Sequence, residues 1–119
     1  MRGKLAPSQI RPDEILQAVL AVCRADLADV CGRNRHVETV VARTIFAVLC
    51  RELTTRSYPE IAKFIARPNH STCVTAVNRY RANPDPYRAQ LERAQALAIG
   101  YRDARDNISE VDTKARLFA

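Results

Sequence analysis

The sequence predicts an all-α fold: a small helical bundle that contains a helix-turn-helix, followed by a C-terminal amphipathic helix. The 119 residues are rich in alanine, leucine, valine and arginine, whereas only three are glycine and none is tryptophan, which favours helix over sheet. Apolar residues also recur at spacings of three and four, the period of an amphipathic helix. A hydrophobic content of 47% at this length predicts one domain with a real core.

Positive charge is concentrated in the middle of the chain. Residues 31–82 carry eight arginines and one lysine against three glutamates, whereas acidic and basic residues balance on either side of this range. The planar guanidinium of arginine suits phosphate oxygens and base edges. A solvated basic face that binds nothing is the plain alternative, but this concentration favours a polyanionic partner.

Several other classes of protein are disfavoured. No apolar run approaches the roughly 20 residues of a membrane span, and the N-terminus lacks the apolar stretch of a signal peptide, so a cytoplasmic protein with no membrane partner is expected. The sequence has no Gly-x-x-x-x-Gly-Lys-Ser/Thr loop, so no nucleotide is expected to bind. The cysteines lack metal-ligand spacing, which predicts reduced thiols and neither a metal nor another cofactor; they are Cys23, Cys31, Cys50 and Cys73.

The first half of the chain predicts three helices after an N-terminal arm, residues 1–11. The first helix is expected at 12–24 and a short turn of helix at 26–30. A basic loop, 32–36, then leads into the longest helix, at 37–54. The buried stripe of this helix is expected to contain Val37, Val41, Thr44, Ile45, Val48, Leu49 and Leu53.

Two short helices joined by a tight break form a helix-turn-helix pattern. The first, at 58–66, follows Ser57, and Glu60 completes a capping box with that serine. Pro68 breaks the chain, and Asn69 is expected to cap the second helix. Inward positions of the second helix are Cys73, Ala76, Val77 and Tyr80, and outward positions are Ser71, Thr72, Thr75, Asn78 and Arg79.

The start of the second helix is polar and built from short side chains, which suits DNA. The N-terminus of a recognition helix enters the major groove first, so its side chains must be small and able to donate and accept hydrogen bonds. The N–H groups at that end also attract phosphate. A well-capped surface helix with no ligand is the plain alternative.

The last part of the chain predicts a further helix after the break at 83–86. It is expected within residues 84–106, ending at about Arg105, with a flexible tail at 107–119. Its apolar residues lie at heptad-like spacing. Packing onto the DNA-binding domain, residues 12–83, is the default expectation, and a homodimer or protein partner through this helix is the alternative.

Residues 15–80 resemble the C-terminal DNA-binding domain of DnaA, the bacterial replication initiator. Three pieces carry the resemblance in the order and spacing of that family. They are Arg33-Asn34-Arg35 through Arg43; Arg51-Glu52-Leu53-Thr54 followed by Ser57-Tyr58-Pro59-Glu60-Ile61; and Asn69-His70-Ser71-Thr72, which is similar to the Asp-His-Thr/Ser-Thr signature of the family. The resemblance implies a helix-turn-helix that reads duplex DNA at a nine-base-pair element, the DnaA box.

The resemblance also implies roles for individual residues. Arg35 of the basic loop would enter a narrow A·T-rich minor groove. Arg43, Arg51 and the backbone near Pro59 would hold phosphates. The start of the second helix would contact base edges. The expected DNA-binding residues are Arg33, Arg35, Arg43, Arg51, Pro59, Asn69, His70, Ser71, Thr72, Thr75, Asn78 and Arg79.

The chain departs from the family pattern at the turn before the second helix. Where the family usually has Gly-Gly-Arg-Asp, this chain has Ala66-Arg67-Pro68-Asn69. The amide of Asn69 gains donors and loses a charge relative to aspartate, so the preference for its base pair can differ. Pro68 removes a cation and a backbone N–H.

Three functions fit parts of this pattern, and a fourth, an enzyme, does not. The first is a sequence-specific binder of DnaA-box-like sites that regulates replication initiation or transcription. The second is a helix-turn-helix regulator of a phage or mobile element that reads an unrelated operator. The third is a protein-interaction module with vestigial DNA binding. An enzyme is not expected, because His70 and Ser71 are neighbours in one helical turn and no acid orients the histidine. The sequence thus predicts a DNA-reading domain standing alone, without an ATPase domain.

Overall fold

The computed structural model describes residues 8–33 and 35–118, excluding the side chains of 109–118. Every regular element in these ranges is helical, which confirms the all-α prediction. The expectation for residues 1–7 of the N-terminal arm lies outside the described residues. The helices are α1 (Pro12–Cys23), α2 (Leu27–Cys31), α3 (Val37–Leu53), α4 (Tyr58–Phe64), α5 (Ser71–Ala82) and α6 (Arg88–Phe118), and a 3₁₀ turn (Asp85–Tyr87) precedes α6.

α3 is the central helix of the bundle, and the other helices pack around it. All side chains from Thr44 to Cys50 are buried, so this stretch is covered on every side, as expected for a helix enclosed by others. Truncating the fully buried Phe46 to alanine would cost about 3–5 kcal/mol. The prediction that Val37 is buried is wrong: this side chain is 75% exposed, because it belongs to the first turn of α3, next to the basic loop.

α4 and α5 form the helix-turn-helix and pack against α3 and each other. The predicted capping box is confirmed at the start of α4. The Ser57 N–H donates to Glu60 Oε1 at 3.0 Å, and the Glu60 N–H donates to Ser57 Oγ at 3.4 Å. Two N–H groups at the start of α4 therefore have side-chain acceptors, which stabilises a helix too short to form alone.

α6 packs along α1 and closes the bundle. Its inner side chains Leu91, Ala94 and Ala98 are buried, which confirms packing onto the domain. The guanidinium of Arg105 binds the carboxylate of Glu14 through two hydrogen bonds of 2.8 and 3.0 Å. The first and last helices are thus joined by a polar contact as well as an apolar one.

α6 is longer than the sequence pattern predicts. The predicted end at about Arg105 is wrong, since the helix continues to Phe118. The flexibility expected of residues 107–119 stays a prediction. No proline or glycine follows Gly100, so the sequence contains no strong signal that stops the helix. Residue 119 lies outside the described residues. No helix in the described part of the chain is both long enough and apolar enough to cross a membrane.

Candidate nucleic-acid interface

The outward face of α5 is exposed along its length. On its other face, Cys73, Ala76 and Val77 are buried against the bundle. Tyr80 is half-buried, and its ring lies 6.0 Å from that of Tyr87. This buried stripe fixes the rotation of the helix, and the predicted division into two faces is confirmed. The exposed side chains are Ser71, Thr72, Thr75, Asn78 and Arg79.

Asn69 and His70 shape the start of α5. Asn69 Oδ1 accepts a hydrogen bond from the Ser71 N–H at 2.9 Å, as expected of a capping residue. His70 already has helical φ and ψ of −72° and −11°, and its carbonyl accepts from the N–H of Cys73. Both side chains are exposed. Because Oδ1 faces a backbone donor, the NH₂ group of Asn69 is left to donate outward.

A Schellman motif ends α4 and begins the turn. The Arg67 N–H donates to the Ala62 carbonyl at 2.8 Å, and the Ala66 N–H donates to the Lys63 carbonyl at 3.1 Å. Ala66 has a φ of 55°, in the left-handed region that favours glycine. Pro68 follows, exposed. The turn is therefore held by backbone hydrogen bonds at one end and by the Asn69 cap at the other.

Two arginines bind the same main-chain carbonyls at the end of α2. Arg43 Nε donates to the Val30 carbonyl at 2.9 Å. Its Nη2 donates to the carbonyls of Asp29 at 2.7 Å and Gly32 at 2.9 Å. Arg67 Nη2 donates to the Gly32 carbonyl at 2.6 Å. Because carbonyls at a helix C-terminus lack helical partners, these two guanidiniums complete the cap of α2, and we call them the arginine clamp.

The side chain of Arg43 is directed at the protein, and its expected phosphate contact stays a prediction. The resemblance to the DnaA domain implies a phosphate contact for this residue, and its half-buried guanidinium donates to protein carbonyls. Burial, followed by the neighbouring charge of Arg67, lowers the pKa of Arg43. A helical projection places a residue on a side of a helix but does not determine where a long side chain finds acceptors. Arg43 therefore holds the basic loop in place.

The basic loop presents two arginines to solvent. Arg33 and Arg35 are exposed, and Asn34 lies outside the described residues. Gly32 opens the loop at a position where an added Cβ would lie 2.9 Å from the Ala28 carbonyl oxygen, so the close approach requires glycine. The two cations predicted on this loop are thus on the surface, next to the tightly packed start of the loop at Gly32.

Arg51 lies at the end of α3, next to the start of α4. Its guanidinium carbon is 4.4 Å from the centre of the Tyr58 ring, a cation–π contact. Its Nη1 donates to the Arg56 carbonyl at 3.2 Å. Arg51 and Pro59 are both exposed, so their predicted phosphate contacts are sterically open and stay predictions.

The thiols and imidazoles do not form a metal centre. Among the residues whose side chains are described, no group of three His, Cys, Asp or Glu side chains could hold a metal ion. Burial raises the pKa of Cys23 to about 11 and also raises the pKa values of Cys50 and Cys73. These three thiols are therefore protonated members of the core near neutral pH.

Arg67 supports the candidate interface through the Gly32 carbonyl, and sequence reasoning did not single it out. Helical periodicity does not apply to it, because it lies in the turn between α4 and α5. The sequence does distinguish this residue in one way, because an arginine stands where the DnaA-like pattern has a glycine.

Comparison with known proteins identifies the family of this arrangement. The model for the bacterial DnaA protein helix-turn-helix matches residues 12–79. The chain belongs to this DnaA helix-turn-helix family. The resemblance carried by the three sequence pieces is therefore confirmed, and membership in a helix-turn-helix family of this kind supports DNA binding.

Curated relatives of the chain are chromosomal replication initiator proteins DnaA. The protein of Sphingopyxis alaskensis is 38% identical over 77 residues, which cover 65% of this chain and 17% of the relative. That of Xanthobacter autotrophicus is 31% identical over 91 residues, 76% of this chain and 18% of the relative. That of Tropheryma whipplei is 35% identical over 77 residues, 65% and 16% respectively. The match thus spans less than a fifth of each of these DnaA proteins.

Proposed function

We propose that the protein binds duplex DNA at DnaA-box-like sites and thereby regulates replication initiation or transcription. The observation that carries this proposal is the small, polar, exposed face of α5, on a helix whose opposite face is fixed in the core. A helix of this kind fits the major groove. The excess of arginine in residues 31–82 supplies the attraction for the phosphate backbone.

Base recognition is assigned to the start of α5. His70, Ser71 and Thr72 carry ring nitrogens, hydroxyls and a methyl group, which match the hydrogen-bonding edges and thymine methyl groups of the major groove. Their exposure leaves them free to approach a base. Thr75 and Asn78 follow one and two turns later on the same face and extend the contact along the groove.

Backbone contacts are assigned to the exposed arginines. Arg79 lies on the outward face of α5, and Arg51 is stacked on Tyr58 beside the start of α4. Such contacts set the register of the protein on DNA without reading sequence. Arg33 and Arg35 lie on the basic loop, where an arginine suits a narrow minor groove.

A fluorescence-anisotropy titration at several salt concentrations tests the proposal. It compares a duplex containing a DnaA box with a scrambled duplex of the same composition. Tighter binding to the box, with a preference that persists at higher salt, is expected, because base contacts depend less on salt than phosphate contacts do. Equal and steeply salt-dependent binding to both duplexes would reject the box while retaining DNA binding.

An unrelated operator is the second candidate target. Two departures from the family pattern favour it, Pro68 and Asn69, since both lie directly before the base-reading residues. Selection of bound sequences from random duplexes separates the two candidates. Enrichment of DnaA-box-like sequences supports the first, and enrichment of a different motif supports the second.

Substitutions in the loop and in α5 should damage binding differently. Arg35→Ala removes a charge, so affinity and the salt dependence of binding should both fall. Thr72→Val removes a hydroxyl, so base preference should relax by about 1–3 kcal/mol with little change in salt dependence. The matched control is Arg93→Ala, an exposed cation on α6 outside the assigned contacts. If both variants bound all duplexes like the parent protein, the residue assignments would be wrong.

A further inference from the structure

The arginine clamp joins two parts of the interface that are far apart in sequence. Arg67 lies in the turn, two residues before Asn69, and its Nη2 donates to the Gly32 carbonyl at 2.6 Å. The same nitrogen lies 3.4 Å from the Val30 carbonyl. Gly32 immediately precedes Arg33 in the basic loop. The Arg67 side chain therefore connects the segment before the recognition helix to the first residue of the basic loop.

The clamp brings two like charges to one carbonyl and leaves one buried donor unpaired. Arg43 and Arg67 share the Gly32 carbonyl, and the charge of Arg67 acts against that of Arg43. Among the described residues, neither guanidinium forms an ion pair with a carboxylate. Arg67 Nε is buried without a hydrogen-bond partner. The proximity of two like charges and the buried unpaired donor each cost free energy, and an unpaired buried donor calls for an explanation.

Arg67 makes a connection to the recognition helix that Arg43 does not make. Arg43 belongs to α3, so its hydrogen bonds attach the loop to the centre of the bundle. Arg67 belongs to the turn, so its hydrogen bond attaches the loop directly to the start of α5. Two binding elements that contact one duplex gain affinity when their relative position is fixed before binding. The DnaA-like pattern has glycine at this position, so the contact is a feature of this chain.

We propose that Arg67 is a positioning residue for DNA binding, which fixes the basic loop relative to the recognition helix so that both reach the same duplex. This inference rests on the proposed function. Arg67 acts through the Gly32 carbonyl and makes no contact with DNA. Its loss should weaken binding without removing a phosphate contact, and only while the loop arginines are present.

The first part of the test needs no DNA. Cys31 lies between Val30 and Gly32, whose carbonyls the clamp binds, and it is partly exposed, whereas the other three cysteines are buried. Alkylation by iodoacetamide, mapped by mass spectrometry, therefore reports the opening of this segment. Arg67→Ala should raise the alkylation rate of Cys31 several-fold, and Lys63→Ala, an exposed cation on α4, should not. An unchanged rate in Arg67→Ala would show that Arg67 does not hold the loop, and would overturn the proposal.

The second part is a double-mutant cycle on DNA affinity. Arg67→Ala should weaken binding to the preferred duplex about tenfold, with an unchanged slope of log K against log salt concentration. In a protein that already carries Arg33→Ala and Arg35→Ala, the same substitution should have little effect. A slope reduced by about one would mean that Arg67 contacts a phosphate, and an effect of equal size in both backgrounds would mean that it acts independently of the loop. Either result overturns the proposal.

Two controls keep the outcomes distinct. Circular dichroism checks the fold of Arg67→Ala, and if that variant does not fold, Arg67→Lys, which keeps the charge but loses the planar fork, replaces it in both parts. If the parent protein binds no duplex, the proposed function fails, and with it the positioning role. The alkylation rates then still show whether Arg67 holds the loop.

Discussion

One hydrogen bond at Asn69 decides which group this side chain would present to DNA in the proposed complex. Its Oδ1 accepts from the Ser71 N–H, so the outward group is the NH₂ donor. A donor complements an acceptor on a base edge, such as purine N7 or thymine O4. An aspartate with the same cap would present an acceptor instead, which complements the amino group of cytosine.

Asn69→Asp should therefore change base preference while leaving the fold intact. Both residues cap helices well, so the free energy of unfolding should change little. The ranking of single-base variants of the preferred duplex should shift toward cytosine at one position, by about 1–3 kcal/mol. Competition binding with these single-base duplex variants measures the ranking. Asn83→Asp, which adds the same charge at the exposed other end of α5, is the control and should weaken all duplexes alike. The same ranking in both variants would place Asn69 away from the bases.

The outward face of α5 could be predicted from sequence, and the arginine clamp could not. Spacing alone assigns Thr72 and Thr75 to the exposed side, because the buried stripe leaves them no alternative. Arg43 and Arg67 are different, since the acceptors that they bind are main-chain carbonyls of another segment. Where a long side chain ends depends on the tertiary position of such acceptors.

At the scale of the element, α6 contains one residue that weakens it. Gly100 is exposed in the helix, and an added Cβ there would meet nothing within 4 Å. Glycine in a helix interior costs roughly 1 kcal/mol relative to alanine. α6 is therefore less stable locally than its length implies.

Gly100→Ala should raise the free energy of unfolding by up to about 1 kcal/mol. Chemical denaturation followed by circular dichroism measures the change. Gly32→Ala is the contrasting variant and should destabilise the protein, because its Cβ would lie 2.9 Å from the backbone oxygen of Ala28. Stabilisation by both substitutions would contradict the close packing at the base of the loop.

Helix boundaries were predictable where the sequence supplies an end signal. Pro12 begins α1, and the Ser57–Glu60 capping box begins α4, as predicted. α6 has no comparable signal near Arg105, and the prediction ended it where the apolar spacing stopped. The helix instead continues, and no proline or glycine follows Gly100 to stop it.

At the scale of the whole molecule, the Glu14–Arg105 contact joins the first helix to the last. Hydrogen bonds from Arg105, and also from the Arg11 N–H, lower the pKa of Glu14 from its ordinary value of 4.5, while burial opposes them. The carboxylate is thus preferred in the folded state. Its contribution to stability is fully present above pH 4.5 and is lost as the pH falls through the lower, folded-state pKa.

Glu14→Gln should therefore destabilise the protein at pH 7 by about 1–3 kcal/mol, and less at lower pH. The difference from the parent should shrink below pH 4.5, as the parent loses the charge that the variant already lacks. Urea denaturation at a series of pH values measures the destabilisation at pH 7 and its decrease at lower pH. Glu92→Gln, an exposed position on α6, serves as the control with no comparable effect. A difference that is constant with pH would mean that the carboxylate charge is not what Arg105 binds.

The arrangement of the helices was less predictable than the helices themselves. The apolar spacing of α6 fits a partner chain as well as its own bundle, and only the structure shows Leu91 and Ala94 against the domain. The contact between Glu14 and Arg105 spans 91 positions of sequence, which no local pattern reveals. Packing between segments that are distant in sequence depends on the apolar faces of all the helices at once.

The length of α6 also determines how the molecule tumbles. Its 31 residues span about 46 Å at 1.5 Å per residue, and only the longest of the molecular dimensions, 52 × 28 × 25 Å, accommodates that length. The N–H bonds of α6 therefore lie nearly parallel to the long axis. In an elongated body, such bonds reorient only through end-over-end rotation, the slowest motion available. In ¹⁵N relaxation, rigid amides of α6 should consequently show higher ratios of transverse to longitudinal rate than amides whose bonds lie across that axis.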